Sequence, residues 1–177
     1  GPPEEPLWVV LVVGSHPVVE LGGSPLLMIH NQEGGDVPKV DLELAPKIFA
    51  AIHKAILAGQ LRSCHDLSEG GLAVAVAEMA FAGGIGATLD LGELAKASDG
   101  LDEAVLLFSE SPTRFLVEVP DGCEEAFREA LAGQPVVEVG TTNDGDRLEI
   151  RSGEGRLLID SRLADLKQAW QAPLDWD

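Results

Sequence analysis

A chain of 177 residues, of which 45% are hydrophobic, is long enough to enclose one core and too apolar to be intrinsically disordered. Its formal net charge of −18 at pH 7 argues against a nucleic-acid backbone or an anionic membrane as partner, because both would repel it. No apolar run approaches the roughly 18 residues of a membrane span. Cys64 and Cys123 lack metal-binding spacing, so we expect neither a zinc site nor a disulfide framework. Such cysteine usage is typical of the reducing cytosol.

The first half of the chain predicts strands and helices separated by glycine-rich loops. The long helix in its centre starts with a capping aspartate, Asp41, and ends at Gly59. The next helix is apolar on nearly all sides, so it should be buried. The predicted elements are a strand at Trp8–Val13, loops at Gly14–Pro25 and Asn31–Pro38, the Asp41–Gly59 helix, a strand at Leu61–His65 and the buried helix Leu72–Phe81.

The second half predicts more strands, with short helices between them. Asp121 should cap one helix, and Asp160 or Ser161 should cap the last. Asn143–Asp146 predicts a hairpin turn between two strands. The strands and helices do not alternate regularly, and a hairpin is predicted near the end of the chain. Both features favour an α+β sandwich over a doubly wound fold. The predicted elements are strands at Ile85–Leu91, Phe115–Val119, Val136–Gly140, Leu148–Ile150 and Arg156–Ile159, a polar loop at Gly92–Asp102 that could include a short helix, an apolar run at Ala104–Phe108, and helices at Asp121–Leu131 and Arg162–Trp170.

The stretch Ser63–Leu72 carries the clearest functional signal. Gly70 and Gly71 allow a sharp turn, and the first N–H groups of the following helix are free to bind an anion. Asp66 and Glu69 in the same turn would repel a bare phosphate, whereas a phosphate carried with Mg²⁺ would be accepted. The turn therefore predicts half of a metal-nucleotide or metal-phosphate site.

A second break in the pattern contains Glu110 and Arg114. If the two breaks meet in space, the carboxylates of Asp66, Glu69 and Glu110 could share a Mg²⁺ ion. Arg114 would then hold a phosphate or pair with Glu110. The alternative is an ordinary surface pair between Glu110 and Arg114, worth about 0–1 kcal/mol. The spacing alone leaves both interpretations open.

Nucleophilic catalysis is poorly supported by the sequence. Cys64 and His65 are neighbours on a predicted strand, so their side chains point to opposite faces, and Cys64 is expected in the core. The Leu21–Ser24 segment predicts either a second backbone cradle or a plain turn.

Three segments together resemble phosphoribosylformylglycinamidine synthase, an ATP-dependent amidotransferase of purine biosynthesis. His65–Leu72, continued by Ala77–Ala80, is similar to that family's HDxSxGGL…AEM signature. Leu21–Ser24 resembles its upstream LGGS loop, and Leu107–Ser111 with Arg114 resembles its downstream LF(G/S)E…R segment. The order and spacing agree over essentially the whole chain.

The resemblance implies specific roles for the residues of these segments. Asp66, Ser109, Gly70 and Gly71 would bind ATP, Glu110 would hold Mg²⁺, and Arg114 would contact the substrate. The family uses ATP to activate the amide oxygen of formylglycinamide ribonucleotide, and ammonia from glutamine then displaces phosphate. Two departures weaken the match: Pro25-Leu26 follows the LGGS serine where Glu-Tyr is common, and Pro112 replaces a polar residue.

The same resemblance implies that residues 1–177 are a single C-terminal domain of a synthetase module whose N-terminal half is absent. We therefore expect a layered α/β/α sandwich with a mixed, partly antiparallel sheet, inactive by itself. The implied partners are the N-terminal half, a glutaminase component and a small accessory subunit, all in the cytoplasm. Two alternatives remain: a domain of another ATP-dependent enzyme of this superfamily, and a non-catalytic acidic binding or scaffold domain.

Overall fold

The β-branched run at the start of the chain forms strand β1 (Trp8–Gly14), which lies inside the sheet with a neighbour on each side. This arrangement comes from a computed structural model that describes residues 8–15 and 17–174. Leu11 pairs with Val117 on one neighbour and with Glu138 on the other, and both pairings are antiparallel. The predicted buried strand is confirmed, since Val10 to Val13 are almost inaccessible to solvent.

Seven strands form one mixed sheet in the order β2-β4-β1-β5-β3-β6-β7. Only β3 and β6 pair in parallel; the other described pairs are antiparallel. The strands after β1 are β2 (Ser63–Asp66), β3 (Gly86–Asp90), β4 (Arg114–Pro120), β5 (Val136–Asn143), β6 (Arg147–Arg151) and β7 (Leu157–Arg162). The predicted α+β fold with a partly antiparallel sheet is confirmed.

Helices cover both faces of this sheet. They are α1 (Pro25–Ile29), α2 (Ala45–Leu57), α3 (Gly71–Gly83), α4 (Gly92–Ala97), α5 (Glu103–Phe108), α6 (Glu124–Ala130) and α7 (Leu163–Gln171), followed by a 3-10 turn at Ala172–Leu174. No helix in the described part of the chain is long and apolar enough to cross a bilayer.

Alternating residues of β1 separate two hydrophobic cores. Val10 and Val12 pack with α3, α4, α5 and α7 on one face. Leu11 and Val13 pack with α2 and α6 on the other face. This division follows from the pleat, which sends successive side chains to opposite sides of a strand. The predicted α/β/α layering is therefore confirmed.

The hairpin predicted at Asn143–Asp146 is wrong. Strands β5 and β6 do follow each other across this turn, but they do not pair, because β3 lies between them. The turn is instead stabilised by the Asn143 side chain, whose Oδ1 accepts a hydrogen bond from Gly145 N at 2.9 Å. The hairpin pairs β6 with β7, one connection later in the chain.

Three helix starts also differ from the prediction. Helix α6 begins after Cys123 rather than Asp121, and Cys123 makes no side-chain capping bond. Asp160 and Ser161 are the middle of β7 and not a cap, since α7 begins after Arg162. Helix α1 was not predicted at all, although Ser24 followed by Pro25 is a typical helix start and the Ser24 hydroxyl accepts a bond from Leu27 N.

Helix α3 is the most buried helix, as its apolar sequence predicts, and its alanines allow close approach to the sheet. Ala75 is 2% exposed. We expect Ala75→Leu to lower the free energy of unfolding by about 1–3 kcal/mol, because the added atoms overpack the core. A denaturant melt measures this change, and an unchanged midpoint and slope would contradict the packing.

Candidate functional site

The glycine turn between β2 and α3 has a backbone that other residues cannot adopt without strain. Gly70 and Gly71 have φ angles of +79° and +61°, in the left-handed region. A Cβ atom on Gly71 would lie 2.6 Å from the carbonyl oxygen of Ser109 and 2.9 Å from that of Leu107. The turn therefore packs directly against the chain at the end of α5, and the absence of side chains is what permits it.

Glu110 connects the segment after α5 to the glycine turn by a hydrogen bond. Its Oε1 atom accepts from the backbone N–H of Gly70 at 2.9 Å. The two segments lie far apart in the sequence, and the prediction that they meet in space holds in this geometry. A carboxylate at this place satisfies one of the N–H groups that a helix start leaves free.

The two acids of the turn and Glu110 are not equivalent. The Asp66 side chain is 65% exposed at the end of β2, Glu69 is also exposed, and Glu110 is partly buried. No group of three or more possible metal ligands occurs among the described residues, so sharing of one Mg²⁺ by all three acids has no support. Magnesium usually takes one or two protein carboxylates and completes its shell with water and phosphate oxygens. One carboxylate is enough for that pattern, and Glu110 as the ligand stays a prediction.

Ser109 is fully buried and bonded within the chain. Its hydroxyl contacts the Ser111 hydroxyl at 2.8 Å and donates to the carbonyl of Val18 at 3.3 Å. Ser111 in turn accepts from Val18 N at 3.2 Å. These bonds fix the loop after β1 against the break after α5. The nucleotide contact expected of Ser109 stays a prediction, and this geometry gives it no separate support.

Arg114, the first residue of β4, is 1% exposed, so the predicted surface pair with Glu110 is wrong. Its Nη1 atom donates to the carbonyl oxygen of Ser109 at 3.2 Å and so connects the start of β4 to the segment after α5. Within the described residues, its Nε and Nη2 atoms have no hydrogen-bond acceptor. Desolvation lowers the pKa of the guanidinium to about 10, so it stays charged at neutral pH. Direct contact with substrate stays a prediction, because the guanidinium does not reach the described surface.

Burial of the Arg114 charge should lower the free energy of unfolding, and a variant without the charge tests this. We expect Arg114→Met to leave the free energy of unfolding unchanged or to raise it by about 1 kcal/mol, because a buried charge with few partners is unfavourable. The same change should lower turnover of the longer enzyme, because the Ser109 carbonyl loses its donor. Urea melts and steady-state assays measure the two effects. A clear loss of stability would show that the charge is compensated.

The free-energy cost of burying the charged Arg114 side chain should also depend on pH in a defined direction. Burial depresses the folded-state pKa of Arg114 from the ordinary value of an arginine to about 10. Between these values the unfolded chain binds the extra proton, so this group makes stability rise with pH there and contributes no slope below about pH 10.

Cys64 is exposed rather than in the core, which corrects the prediction. It lies on the outer face of β2, whereas His65 points toward α3. Partial desolvation of the thiol and the nearby Asp66 carboxylate raise its pKa to about 11. A thiol with such a pKa is not a nucleophile at neutral pH, in agreement with the sequence argument.

The Leu21–Ser24 segment is a turn. Gly22 N donates to the carbonyl of Asp36 at 2.9 Å, and a Cβ atom on Gly22 would lie 2.6 Å from the Gly35 carbonyl. Ser24 caps α1. These groups are used within the chain, which favours the plain turn over the second backbone cradle.

A series of hydrogen bonds beside the glycine turn, from Trp170 through Glu78 to His65, is not predicted from the sequence. Glu78 accepts from Trp170 Nε1 at 2.8 Å with one oxygen and lies 3.0 Å from His65 Nε2 with the other. His65 Nδ1 lies 2.6 Å from the carbonyl oxygen of Asp66. The available signal was that Glu78 is the one charge in a buried helix. Its partner Trp170 belongs to the last helix, which no local pattern connects to α3.

Comparison with known proteins gives consistent matches. The family described as "AIR synthase related protein, C-terminal domain" matches residues 8–153. The phosphoribosylformylglycinamidine synthase subunit PurL of Deinococcus radiodurans is 38% identical over 155 residues, which are 87% of this chain and 20% of that protein. The chain therefore spans about a fifth of the length of this relative.

Solved structures show the same fold. Thermotoga maritima PurL complexed with FGAR has a TM-score of 0.79 at 15% identity, covering 92% of this chain and 28% of that one. The T. maritima PurL complex with ATP has a TM-score of 0.69 at 17% identity, covering 92% and 26%. The hydrogenase maturation protein HypE has a TM-score of 0.60 at 15% identity, covering 90% and 54%.

Proposed function

Because the chain belongs to the family of AIR-synthase-related C-terminal domains, we propose that it forms the C-terminal, ATP- and Mg²⁺-binding part of a phosphoribosylformylglycinamidine synthase. The whole enzyme would convert formylglycinamide ribonucleotide, ATP and glutamine-derived ammonia to formylglycinamidine ribonucleotide in the cytoplasm. The 38% identity to the D. radiodurans subunit supports this choice within the family. The chain by itself would be inactive, because it spans only a fraction of that relative.

The observation that carries the proposal is the bond between Gly70 N and Glu110 Oε1. It brings two of the three resembling segments to one place and puts a carboxylate on a strained glycine turn. ATP would bind here with its phosphates near the turn, contacted by Asp66 and adjoined by Ser109. Gly70 and Gly71 would shape this ATP site through their backbone, since their N–H groups donate to Glu110 Oε1 and Ser68 O. Glu110 would hold Mg²⁺, which neutralises phosphate charge when bound.

The residues of this chain would bind and orient rather than form bonds. Asp66 projects from the end of β2 into solvent, as a contact to a nucleotide from a neighbouring domain requires. Arg114 would act through the Ser109 carbonyl, with a substrate contact only if the loop opens. In ATP-dependent phosphoryl transfer such positioning and charge neutralisation account for most of the catalysis.

The missing parts of the site would come from partners. We propose the N-terminal half of the same synthetase as the other wall of the ATP cleft. A glutaminase component would supply ammonia, and a small accessory subunit would complete the assembly. A Thermotoga maritima structure named PurLQS is a neighbour in fold, covering 92% of this chain at a TM-score of 0.75.

The test combines this chain with the N-terminal half of the same synthetase and measures ADP release. Substrate-dependent ADP is expected with formylglycinamide ribonucleotide, Mg²⁺-ATP and ammonia, and Asp66→Ala should suppress it strongly while the domain stays folded. A stable complex that releases ADP only with a different acceptor would favour another enzyme of the superfamily. A stable complex with no response to Mg²⁺-ATP would favour a non-catalytic domain.

A further inference from the structure

The side chain of Glu78 lies between two groups from distant parts of the chain. Its Oε1 atom accepts from the indole N–H of Trp170, and its Oε2 atom lies 3.0 Å from His65 Nε2. The side chains of Glu78 and His65 are 28% and 29% exposed, so both are partly withdrawn from solvent. The Trp170 ring is itself fixed against Phe81, with ring centroids 5.7 Å apart. Glu78 is therefore held from the side of α7.

His65 continues this chain to the glycine turn. Its Nδ1 atom lies 2.6 Å from the carbonyl oxygen of Asp66 and 3.8 Å from the Asp66 carboxylate. The two ring nitrogens therefore face different partners, and the ring bridges Glu78 on α3 and the end of β2.

The carbonyl of Asp66 needs such a partner because of its place in the sheet. Strand β2 is at the edge and pairs only with β4. Leu67 N donates to Arg114 O, so Leu67 is in a hydrogen-bonded pair. Pairs alternate along an antiparallel ladder, and the Asp66 carbonyl therefore points away from β4 to the open edge. On this open edge the Asp66 carbonyl has His65 Nδ1 as its neighbour at hydrogen-bond distance.

We propose that Glu78 is a positioning residue that acts through His65 to fix Asp66 at the mouth of the glycine turn. This inference rests on the proposed function, in which Asp66 contacts ATP. Glu78 touches neither ATP nor substrate; it sets the orientation of His65, and His65 sets the end of β2. Loss of Glu78 should loosen the ATP contact and leave binding of the other substrate unchanged.

The test uses the longer enzyme that contains this chain. Glu78→Ala should raise the KM for ATP by about 10-fold, with little change in the KM for formylglycinamide ribonucleotide. Glu78→Gln should restore most of the ATP affinity, because the amide oxygen still accepts from Trp170 and the amide nitrogen still lies within hydrogen-bond distance of His65 Nε2. Glu93→Ala, which removes the carboxylate of an exposed pair with Lys96, is the matched control and should change neither KM.

A double-mutant cycle separates positioning from simple stabilisation. His65→Asn keeps an N–H donor near the Asp66 carbonyl but cannot reach Glu78. In that background Glu78→Ala should have no further effect on the KM for ATP, because the connection is already cut. Additive effects of the two changes would overturn the proposal, as would an unchanged KM for ATP in folded Glu78→Ala protein.

Failure of the proposed function gives a different result. An unmodified enzyme that releases no substrate-dependent ADP would reject the function, and amide hydrogen exchange would then decide the positioning role. Glu78→Ala should speed exchange at Leu67 and Gly70 while leaving the centre of β4 protected. Equal exchange rates in both proteins would overturn the proposal whatever the activity.

Discussion

Glu110→Ala is expected to lower Mg²⁺-dependent turnover of the longer enzyme by about 10²-fold or more, because it removes the proposed metal ligand from the phosphate site. The change also leaves Gly70 N–H without its acceptor. Turnover should be measured over a range of Mg²⁺ concentrations, with circular dichroism to confirm folding.

Glu110→Gln separates the two roles of this side chain. Its amide oxygen can still accept from Gly70 N, so the turn should keep its shape, while the charge that attracts Mg²⁺ is gone. We expect turnover nearly as low as in Glu110→Ala, with a melting curve closer to that of the unmodified protein. If Glu110→Gln is fully active at ordinary Mg²⁺ concentrations, Glu110 supports the turn only.

Gly71→Ala is expected to lower both the stability of the domain and the turnover of the longer enzyme. The residue has φ +61°, which costs a residue with a side chain about 1–2 kcal/mol. The added Cβ atom would also meet the carbonyls of Ser109 and Leu107, which adds about 1–3 kcal/mol of overpacking. Together these terms should lower the free energy of unfolding in a denaturant melt and abolish turnover, because the two breaks are pushed apart.

Gly84→Ala is the matched control for this effect. Gly84 ends the same helix with φ +65°, but nothing lies within 4 Å of a Cβ atom placed there. Gly84→Ala should lower the free energy of unfolding only by the cost of the left-handed backbone, about 1–2 kcal/mol, and turnover should be retained. Equal losses at the two glycines would show that the contact between the turn and the Ser109 segment is not tight.

Individual strands and helices could be predicted where a short sequence pattern determines them. The apolar run of β1, the apolar residues of α3 and the spacing of α2 each fix an element from within a few residues. The turn at Asn143–Asp146 was also recognised as a turn. Its pairing was wrong, because the insertion of β3 between β5 and β6 depends on residues more than fifty positions earlier.

The candidate site likewise contains residues that the sequence reveals and residues that depend on tertiary packing. Gly70, Gly71 and Glu110 were found because a glycine pair and an acid at a break are visible in sequence. The burial of Arg114 was not, since an arginine followed by a strand gives no sign of which face it will occupy. The connection from Trp170 through Glu78 to His65 was also invisible, because it needs α7 to pack on α3.

The position of β1 between two partner strands has a consequence for how the domain assembles during synthesis. A ribosome that has made the chain only as far as Pro120 has provided one neighbour for β1, and the second is complete only when Asn143 emerges. Such pairing of distant segments makes folding slow, since the loops must close before the contacts form. Until then β1 presents an open, apolar edge on which a second nascent chain could pair. A chain cut before Val136 should therefore aggregate, because β5, the fifth strand in chain order, is missing from one edge of β1.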